Sequence, residues 1–287
     1  MQALVDWPLA DRRQIIGVFT DIDDTLTTDG AITPEALLAL GALKSAGLQV
    51  IPVTGRPVGW CEVFARGDVV RGIAPWPVDA IVAENGSVAL IMNKNTLQPP
   101  SAMREQLSKR YQQDAVTRSD NRGRMTAVAT RVLREVPGTQ LSQDSAGRET
   151  DIAIDHSEFT HLAPDKIEHV VRIMQSEGMT ATVSSIHING WFGTHNKLGG
   201  ARWIVRELLH RDLDAEITRW AYVGDSTNDQ LMFEHFPHSI GVANIRRFEA
   251  SLRHRPRYIT PSERGPGFAE VARAILDAQG GCHDHPI

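Results

Sequence analysis

The chain has 287 residues, enough for one large core or for a domain that carries a second, inserted domain. Its formal net charge of −5 argues against a polycationic surface, so we expect neither a nucleic-acid nor a membrane partner. Two cysteines, Cys61 and Cys282, are too far apart for a disulfide framework. Without a signal pattern or a long apolar run, we expect a cytoplasmic protein that is a monomer or small homo-oligomer.

The first acidic cluster follows an apolar stretch near the N-terminus. We expect residues 1–14 to be a loosely attached lead-in, and the β-branched run 15–20 to be a buried strand. This strand ends in Asp21, Asp23 and Asp24, and an extended backbone points the first two to the same side. Buried carboxylates need a cation or protons, and an aspartate pair can attack, transfer a proton and approach Mg²⁺. A calcium-binding loop or an acidic strand end gives a similar pattern.

Strands and helices alternate in the next part of the chain. Thr33 as N-cap and Pro34 at the first position begin a helix that stops at Gly47. Strands are predicted over 48–56 and 79–86, with a short helix over 57–65 between them. This order implies parallel pairing with right-handed crossovers. The expected class is therefore α/β, a doubly wound parallel sheet with its site at the carboxyl ends of the strands.

In the middle of the chain the order of predicted helices and strands no longer alternates regularly, and we expect an inserted domain over residues 88–190. Helices mixed with alternating strands indicate an α+β domain with one open sheet face. Helices are predicted over 101–111, 123–136 and 164–177, with a polar break at 117–122, and strands over 149–155 and 179–192. Residues 1–87 and 191–287 would then form one discontinuous core.

The alternating pattern resumes after residue 196. The predicted elements are a helix over 197–210, strands over 219–225, 239–242 and 258–260, and a closing helix over 268–278. The strand over 219–225 leads into a second acidic cluster, Gly224-Asp225-Ser226-Thr227-Asn228-Asp229. This cluster is again at the carboxyl end of a predicted strand, as Asp21 and Asp23 are.

Four features fall at predicted strand ends or helix starts. Besides the two acidic clusters, they are Thr54-Gly55-Arg56 and Lys197. A hydroxyl and a glycine after an apolar strand suit a bound anion, although an ordinary turn has the same residues. A lysine at a helix N-terminus opposes the helix dipole unless an anion lies beside it, although most lone lysines are solvated surface groups. The four together favour an active site.

These motifs resemble those of the haloacid dehalogenase-like (HAD) phosphohydrolases. Asp21-Ile22-Asp23-Asp24-Thr25 is similar to their first motif, Asp-x-Asp-x-Thr, and residues 224–229 resemble the Gly-Asp-x-x-Asn-Asp form of their last. An insert between Thr54 and Lys197, entered through Glu84-Asn85-Gly86, resembles the C2-capped branch (subclass IIB), which includes Cof-like and sucrose-phosphate phosphatases and phosphomannomutase. The resemblance implies a Rossmann-like HAD core with an α+β C2-type cap.

The resemblance also implies roles for individual residues. Asp21 would be the nucleophile, and Asp23 the general acid and then the base. The phosphoryl oxygens would be held by Thr54, Gly55, Lys197 and Asn228. Mg²⁺ would be bound by Asp21, Asp225 and the Asp23 backbone carbonyl. Supporting roles would fall to Asp229, Arg56 and Asn85.

The cap of such a protein excludes water and contacts the leaving group. Candidates are Arg122, Arg124, Arg148, Asp151, His187, Asn189 and Trp191, each of which also suits an exposed or structural role. The implied function is a Mg²⁺-dependent phosphatase that hydrolyses a small phosphate monoester, of a sugar, polyol or hydroxy acid, through an aspartyl-phosphate. A phosphomutase on the same scaffold and a non-catalytic sensor that binds a phosphometabolite are the alternatives.

Overall fold

The computed structural model describes residues 1–92 and 107–280. The strands are β1 (Gln2–Ala3), β2 (Gly17–Thr20), β3 (Thr27–Thr28), β4 (Ala31–Ile32), β5 (Gln49–Pro52), β6 (Ala80–Ala83), β7 (Val88–Met92), β8 (Leu107–Tyr111), β9 (Gln140–Leu141), β10 (Ile152–Asp155), β11 (Thr180–Val183), β12 (His187–Trp191), β13 (Trp220–Gly224), β14 (His238–Gly241) and β15 (Tyr258–Ile259). The helices are α1 (Leu9–Arg13), α2 (Pro34–Ser45), α3 (Val58–Arg66), α4 (Ala115–Glu135), α5 (Pro164–Ser176), α6 (Lys197–Leu209), α7 (Gln230–His235) and α8 (Arg264–Ala278).

The core is a parallel sheet with strand order β1-β15-β14-β13-β2-β5. Successive strand residues face opposite sides, so Val18 and Val223 pack in one apolar cluster while Phe19 and Tyr222 pack in another. Helices α2 and α8 contribute to the first cluster, and α6 and α7 to the second. The predicted α/β class, a parallel sheet covered on both faces, is confirmed.

Strands β6, β7 and β8 extend the edge of this sheet. A parallel bridge between Val53 and Val82 places β6 beside β5, and β7 and β8 follow it as antiparallel neighbours. The predicted helix over 101–111 is therefore wrong for residues 107–111, because all five pair with the apolar strand β7. Residues 101–106 lie outside the described part of the chain. The domain boundaries at residues 88 and 190 stay predictions, although β7 and β8 attach the start of the insert to the core.

The inserted domain is an antiparallel sheet, β11-β12-β10-β9, with α4 and α5 packed on one face. The predicted break at 117–122 is wrong, because α4 is continuous from Ala115. The Asp114 carboxylate accepts the Thr117 backbone N–H at 2.9 Å and caps the helix, and the polar side chains of Ser119 and Asp120 are exposed. The second face of the sheet is turned toward the core.

The first fourteen residues are not the loosely attached lead-in that was predicted. Strand β1 pairs with β15, and Trp7 is 1% exposed and stacks on Tyr258 with 5.8 Å between ring centroids. Arg12 and Arg13 donate hydrogen bonds to backbone carbonyls of α8. Burial of one large aromatic side chain explains why this segment is part of the core.

In the described part of the chain, no helix combines the length and the apolar character that crossing a membrane requires. Cys61, on α3, is buried as a free thiol in the core. Cys282 lies outside the described residues.

Candidate active site

The predicted site residues of the core lie at the carboxyl ends of its parallel strands. Asp21 directly follows β2, and its backbone N–H donates to the Val223 carbonyl at 2.8 Å, which continues the pairing with β13. Asp225 directly follows β13. Lys197 is the first residue of α6, whose N-cap Asn196 accepts the Gly199 N–H at 2.8 Å. Parallel strands bring their carboxyl ends to one edge, so residues distant in sequence meet here.

Lys197 is the cation of this cluster. Its Nζ lies 3.0 Å from Asp21 Oδ1 and 2.7 Å from Asp229 Oδ1, and the residue is 3% exposed. Burial alone would lower the pKa of Lys197, but the negative charges of Asp21 and Asp229 outweigh it and raise that pKa. Lys197 is therefore a buried, permanently charged group, and the alternative of a solvated surface lysine is excluded.

Asp229 orients both Lys197 and the loop that carries Asp225. Its Oδ1 accepts hydrogen bonds from Lys197 and from the Tyr222 hydroxyl. Its Oδ2 accepts the backbone N–H groups of Asp225 at 2.9 Å and of Ser226 at 3.1 Å. With donors on both oxygens, Asp229 is already saturated, which fits the predicted supporting role better than that of a metal ligand.

The cluster carries more negative charge than its lysine compensates. Burial, opposed by Lys197 and reinforced by Asp229 and Asp23, raises the pKa of Asp21 to about 7. Burial and the neighbouring carboxylates Asp229 and Asp21 raise the pKa of Asp225 well above its usual range. Carboxylate oxygens of Asp21, Asp225 and Asp229 lie within 4.8 Å of one another. Converging, buried carboxylate oxygens with excess charge fit a hard divalent cation.

Asp23 lies apart from this cluster, in contact with Arg56. Arg56 donates from Nε to Asp23 Oδ2 at 2.9 Å and from Nη2 to Oδ1 at 2.8 Å. The same guanidinium reaches the inserted domain, at 2.7 Å from Glu158 and 3.1 Å from Asp144. Burial opposes the charge of Arg56, but these carboxylates, Asp23 first, raise its pKa above the usual range. Arg56 thus connects the predicted general acid directly to the inserted domain.

The predicted phosphate-binding residues line the same edge. Thr54 is fully buried, and its hydroxyl oxygen accepts the Arg56 backbone N–H at 3.0 Å, so its proton remains available to donate. The Asn85 amide lies against Gly55, and its buried Nδ2 has no hydrogen-bond partner among the described residues. Asn228, half-buried, accepts a hydrogen bond from Ser226 Oγ at 2.9 Å. Their contacts with phosphate stay predictions.

Comparisons with known proteins identify a family model and solved structures that resemble this chain. A family model of haloacid dehalogenase-like hydrolases matches residues 18–120, which include the first acidic cluster and Thr54. A sucrose-phosphatase from Synechocystis, solved with sucrose and phosphate, superimposes with a TM-score of 0.61 over 92% of this chain and 98% of its own, at 18% identity. The resemblance to the haloacid dehalogenase-like proteins is confirmed.

Further solved structures of this HAD-like fold agree. A protein from Thermoplasma acidophilum has a TM-score of 0.64 at 16% identity and covers 91% of this chain and 98% of its own. A sugar phosphatase of HAD subclass IIB has a TM-score of 0.55 at 13% identity and covers 92% and 98%. No curated protein sequence matches the chain significantly. At these identities the likeness establishes the fold, a HAD core with an inserted cap.

The cap residues predicted to contact substrate have protein partners instead. Arg148 Nη1 and Asn189 Nδ2 donate to the Gly55 carbonyl at 3.0 and 3.3 Å and to the Asp151 carboxylate at 2.8 and 3.0 Å. His187 Nε2 lies 2.9 Å from Glu158. The two bonds to the Gly55 carbonyl fix the cap on the loop of Thr54 and Gly55, so we expect most of these side chains to act on domain closure.

The remaining candidates lie away from the space between core and cap. Trp191 is 1% exposed, and its indole N–H donates to the His195 carbonyl at 3.0 Å. Arg122 and Arg124 are exposed on α4, and the Arg124 guanidinium stacks on Phe192. As substrate contacts, all of these stay predictions.

A cap loop that the sequence reasoning missed lines the cavity between core and cap, which has a volume of about 800 Å³. Residues 156–159 and 185–186 form its cap side, and Asp23, Arg56 and Asp225 are on its core side. The Asp155 carboxylate accepts the backbone N–H groups of residues 157–160 at 2.9 to 3.1 Å, which holds this loop rigid. An aspartate before a short polar run is a signal of such a turn and would have indicated the loop.

Proposed function

We propose that the protein is a Mg²⁺-dependent phosphatase that hydrolyses a small phosphate monoester through an aspartyl-phosphate intermediate. The observation that carries the proposal is the cluster of three buried carboxylates, Asp21, Asp225 and Asp229, around Lys197. Such an excess of buried negative charge is costly in a protein interior and is maintained where a cation and a reacting phosphoryl group belong.

Asp21 is the nucleophile in this proposal. Its carboxylate oxygen attacks phosphorus, and the bond between phosphorus and the leaving oxygen breaks, which leaves an acyl phosphate on Asp21. A phosphate dianion repels a carboxylate, so Lys197, 3.0 Å from Asp21, supplies positive charge where the phosphoryl oxygens arrive. The pKa of Asp21 near 7 keeps a substantial ionised fraction at neutral pH even before a cation binds.

Asp23 moves the proton. It protonates the leaving alkoxide in the first step, then accepts a proton from the water that attacks the acyl phosphate, so the two steps return it to its starting state. Both Asp23 oxygens accept hydrogen bonds from Arg56 in this structure, which orients the carboxylate; with about four acceptor sites, the carboxylate keeps capacity for the proton. Glu158 and Asp144 of the cap contact the same guanidinium, so the cap helps to position Arg56.

Asp21 and Asp225 are the side chains that would hold Mg²⁺, together with the predicted backbone carbonyl of Asp23. When bound, Mg²⁺ would supply positive charge that neutralises the phosphoryl oxygens during transfer. Asp229 keeps Lys197 and the Asp225 backbone in place.

The cavity favours a hydroxylated leaving group. A volume of about 800 Å³ suits a sugar or polyol phosphate. The cap side offers His156, Ser157 and Glu158 as hydrogen-bonding groups, with the ring of Phe159, 61% exposed, beside them. The lining holds acidic side chains (Asp23, Asp24, Glu158) and arginines (Arg56, Arg247, Arg264), so hydroxy-acid phosphates stay in the substrate panel beside sugar and polyol phosphates.

The proposal is tested by phosphate release from a panel of sugar, polyol and hydroxy-acid phosphates, with Mg²⁺ and with chelator. We expect release that depends on Mg²⁺ and that falls by at least about 10⁴-fold in Asp21→Asn, because this variant keeps the shape but loses the nucleophile. Acid-quenched wild type, but not the variant, should carry one phosphoryl group by mass spectrometry. Near-normal turnover by Asp21→Asn would overturn the covalent mechanism.

The same assay separates hydrolysis from phosphoryl transfer to a second hydroxyl. Sustained phosphate release without formation of an isomeric sugar phosphate is expected of the phosphatase. Isomerisation with little free phosphate would replace the proposal by a phosphomutase, and tight binding without turnover of any compound would replace it by a sensor.

A further inference from the structure

Asn244 joins three segments around the acidic cluster. It is 2% exposed, and its Nδ2 donates to Asp225 Oδ2 at 3.1 Å and to the Asp24 backbone carbonyl at 3.0 Å. Its Oδ1 accepts the Arg264 backbone N–H at 3.0 Å. The amide therefore connects the loop after β2, the loop after β13 and the start of α8.

The sheet dictates this position. Strand β14 lies parallel to β13, with Gly241 opposite Gly224, and the Val242 N–H donates to the Gly224 carbonyl at 3.1 Å. The chain that leaves β14 thus passes beside the chain that leaves β13. Asn244, three residues beyond Gly241, reaches the carboxylate of Asp225 at the same sheet edge.

A neutral amide has a chemical advantage at this place. Asp225 is fully buried, and among the described residues its Oδ1 has only a long contact of 3.5 Å, with the Thr25 hydroxyl. An arginine or lysine here would fix the carboxylate but would also cancel the charge that attracts a cation. An amide N–H fixes Oδ2 and leaves both the charge and Oδ1 available.

We propose that Asn244 is a positioning residue for Asp225: its amide holds the carboxylate in the orientation that binds the divalent cation and thereby sets the affinity for that cation. The inference rests on the proposed function, because it takes Asp225 as a metal ligand. Hydrogen-bonded partners of metal-ligating carboxylates typically contribute to metal affinity in this way.

The test measures Mg²⁺ binding without turnover. The rise of Tm with Mg²⁺ concentration is fitted to the linkage relation to obtain a dissociation constant for wild type and for Asn244→Ala, with isothermal titration of Mg²⁺ as a second readout. We expect binding about 10- to 100-fold weaker in the variant, with kcat recovering toward the wild-type value at high Mg²⁺. Asn121→Ala is the matched control, because Asn121 is a buried amide of the cap with no carboxylate partner in the described contacts.

The outcomes separate the two proposals. A wild type that binds no Mg²⁺ contradicts the proposed metal dependence itself. The inference is overturned if Asn244→Ala binds Mg²⁺ as tightly as wild type and its Tm falls by the same amount in Mg²⁺ and in chelator, as we expect for Asn121→Ala. Asn244 would then have a purely structural role. If the alanine variant does not fold, Asn244→Ser, which keeps a small polar group, replaces it. This variant should bind Mg²⁺ more weakly than wild type while its Tm in chelator equals that of wild type. Unchanged Mg²⁺ binding would again overturn the inference.

Discussion

Two fully buried aspartates, one in the cap and one in the core, show how different surroundings mark different tasks. Asp151 of the cap accepts a guanidinium, Arg148 Nη1 at 2.8 Å, and the Asn189 amide. Asp225 of the core has an amide and a distant hydroxyl as its side-chain donors in the described structure, and carboxylates as its charged neighbours. The first carboxylate has a guanidinium as its ion-pair partner, although burial, opposed by Arg148, still raises its pKa to about 7; the second has no cationic side chain in contact with it among the described residues.

The same contrast extends to the two regions around these residues. At the core–cap contact, each of Asp23, Asp144 and Glu158 touches the Arg56 guanidinium. In the core cluster, Lys197 touches Asp21 and Asp229 but no contact links it to Asp225. The charges at the core–cap contact are thus paired with one another, whereas Asp225 has no cation in contact, which suits its predicted role as a metal ligand.

Of the two cations in this comparison, Lys197 of the core should have the larger effect on removal. Lys197→Met leaves Asp21 and Asp229 without their cation, so we expect phosphate release to fall about 10²- to 10³-fold. We also expect the free energy of unfolding in chelator to fall, because breaking a buried ion pair leaves uncompensated charge. Steady-state kinetics and urea unfolding, each with and without Mg²⁺, measure both effects.

Lys44→Met is the matched control for that variant. Lys44 also contacts a buried carboxylate, Asp79, but at the opposite edge of the sheet, where Asp79 accepts the Val50 N–H at the start of β5. We expect this variant to lose stability while kcat stays within a few-fold of wild type. An equal loss of activity in both variants would mean that Lys197 acts only through folding.

Removal of the cap cation should instead affect domain contact. Arg148→Met leaves Asp151 buried without a guanidinium and removes a donor to the Gly55 carbonyl, at a cost of about 3 kcal/mol in unfolding free energy. Because Arg148 acts through the cap position, kcat/KM should fall by the same factor for substrates with different leaving groups. Urea unfolding and kinetics on two sugar phosphates and one polyol phosphate measure this.

The double variant Arg148→Met with Asp151→Leu sharpens the comparison. Replacing a whole buried pair by apolar side chains is often close to neutral, so we expect most of the lost stability to return. If Arg148→Met changed the ranking of substrates, Arg148 would contact the leaving group, which is one of the two roles that the sequence left open for it.

Local signals allowed much of the core to be predicted from the sequence. Thr33 caps α2 as expected, accepting the Ala36 N–H at 3.2 Å, and the parallel order of strands predicted that Asp21 and Asp225 would meet at one edge. Strand β8 could not be predicted, because residues 107–111 lack a strong strand pattern and become a strand by pairing with β7. Long-range pairing overrode local propensity there.

The cap face was harder to predict for a related reason. Alternation correctly placed His187 and Asn189 on one face of β12, but the sequence does not say what that face meets. In the structure, Asn189 on this face donates a hydrogen bond to the Gly55 carbonyl and His187 contacts Glu158, so both side chains have protein partners. Which loop lines the cavity depends on how the two domains pack, and no local pattern encodes that.

The smallest expected effect is a pH dependence at the core–cap contact. Burial alone would raise the pKa of Asp144, but Arg148, Ser142, His187 and Arg56 outweigh it and lower the pKa to about 2. Between about pH 4 and pH 2 the unfolded chain therefore binds more protons than the folded one at this residue, so stability rises with pH across that window. The residue should contribute about 2 kcal/mol above pH 4 and lose it progressively below.

Asp144→Asn removes this titration while keeping the shape. We expect its free energy of unfolding, from urea titrations between pH 3 and 6, to be lower than that of wild type at pH 6 and to converge with it as the pH falls. In this variant Arg56 keeps Asp23 and Glu158 as its charged partners. We expect the contact between cap and core to weaken while the core cluster is unchanged, so the Mg²⁺ affinity of the variant should match that of wild type. A constant stability difference across the pH range would show that the ion pairs of Asp144 do not stabilise the fold.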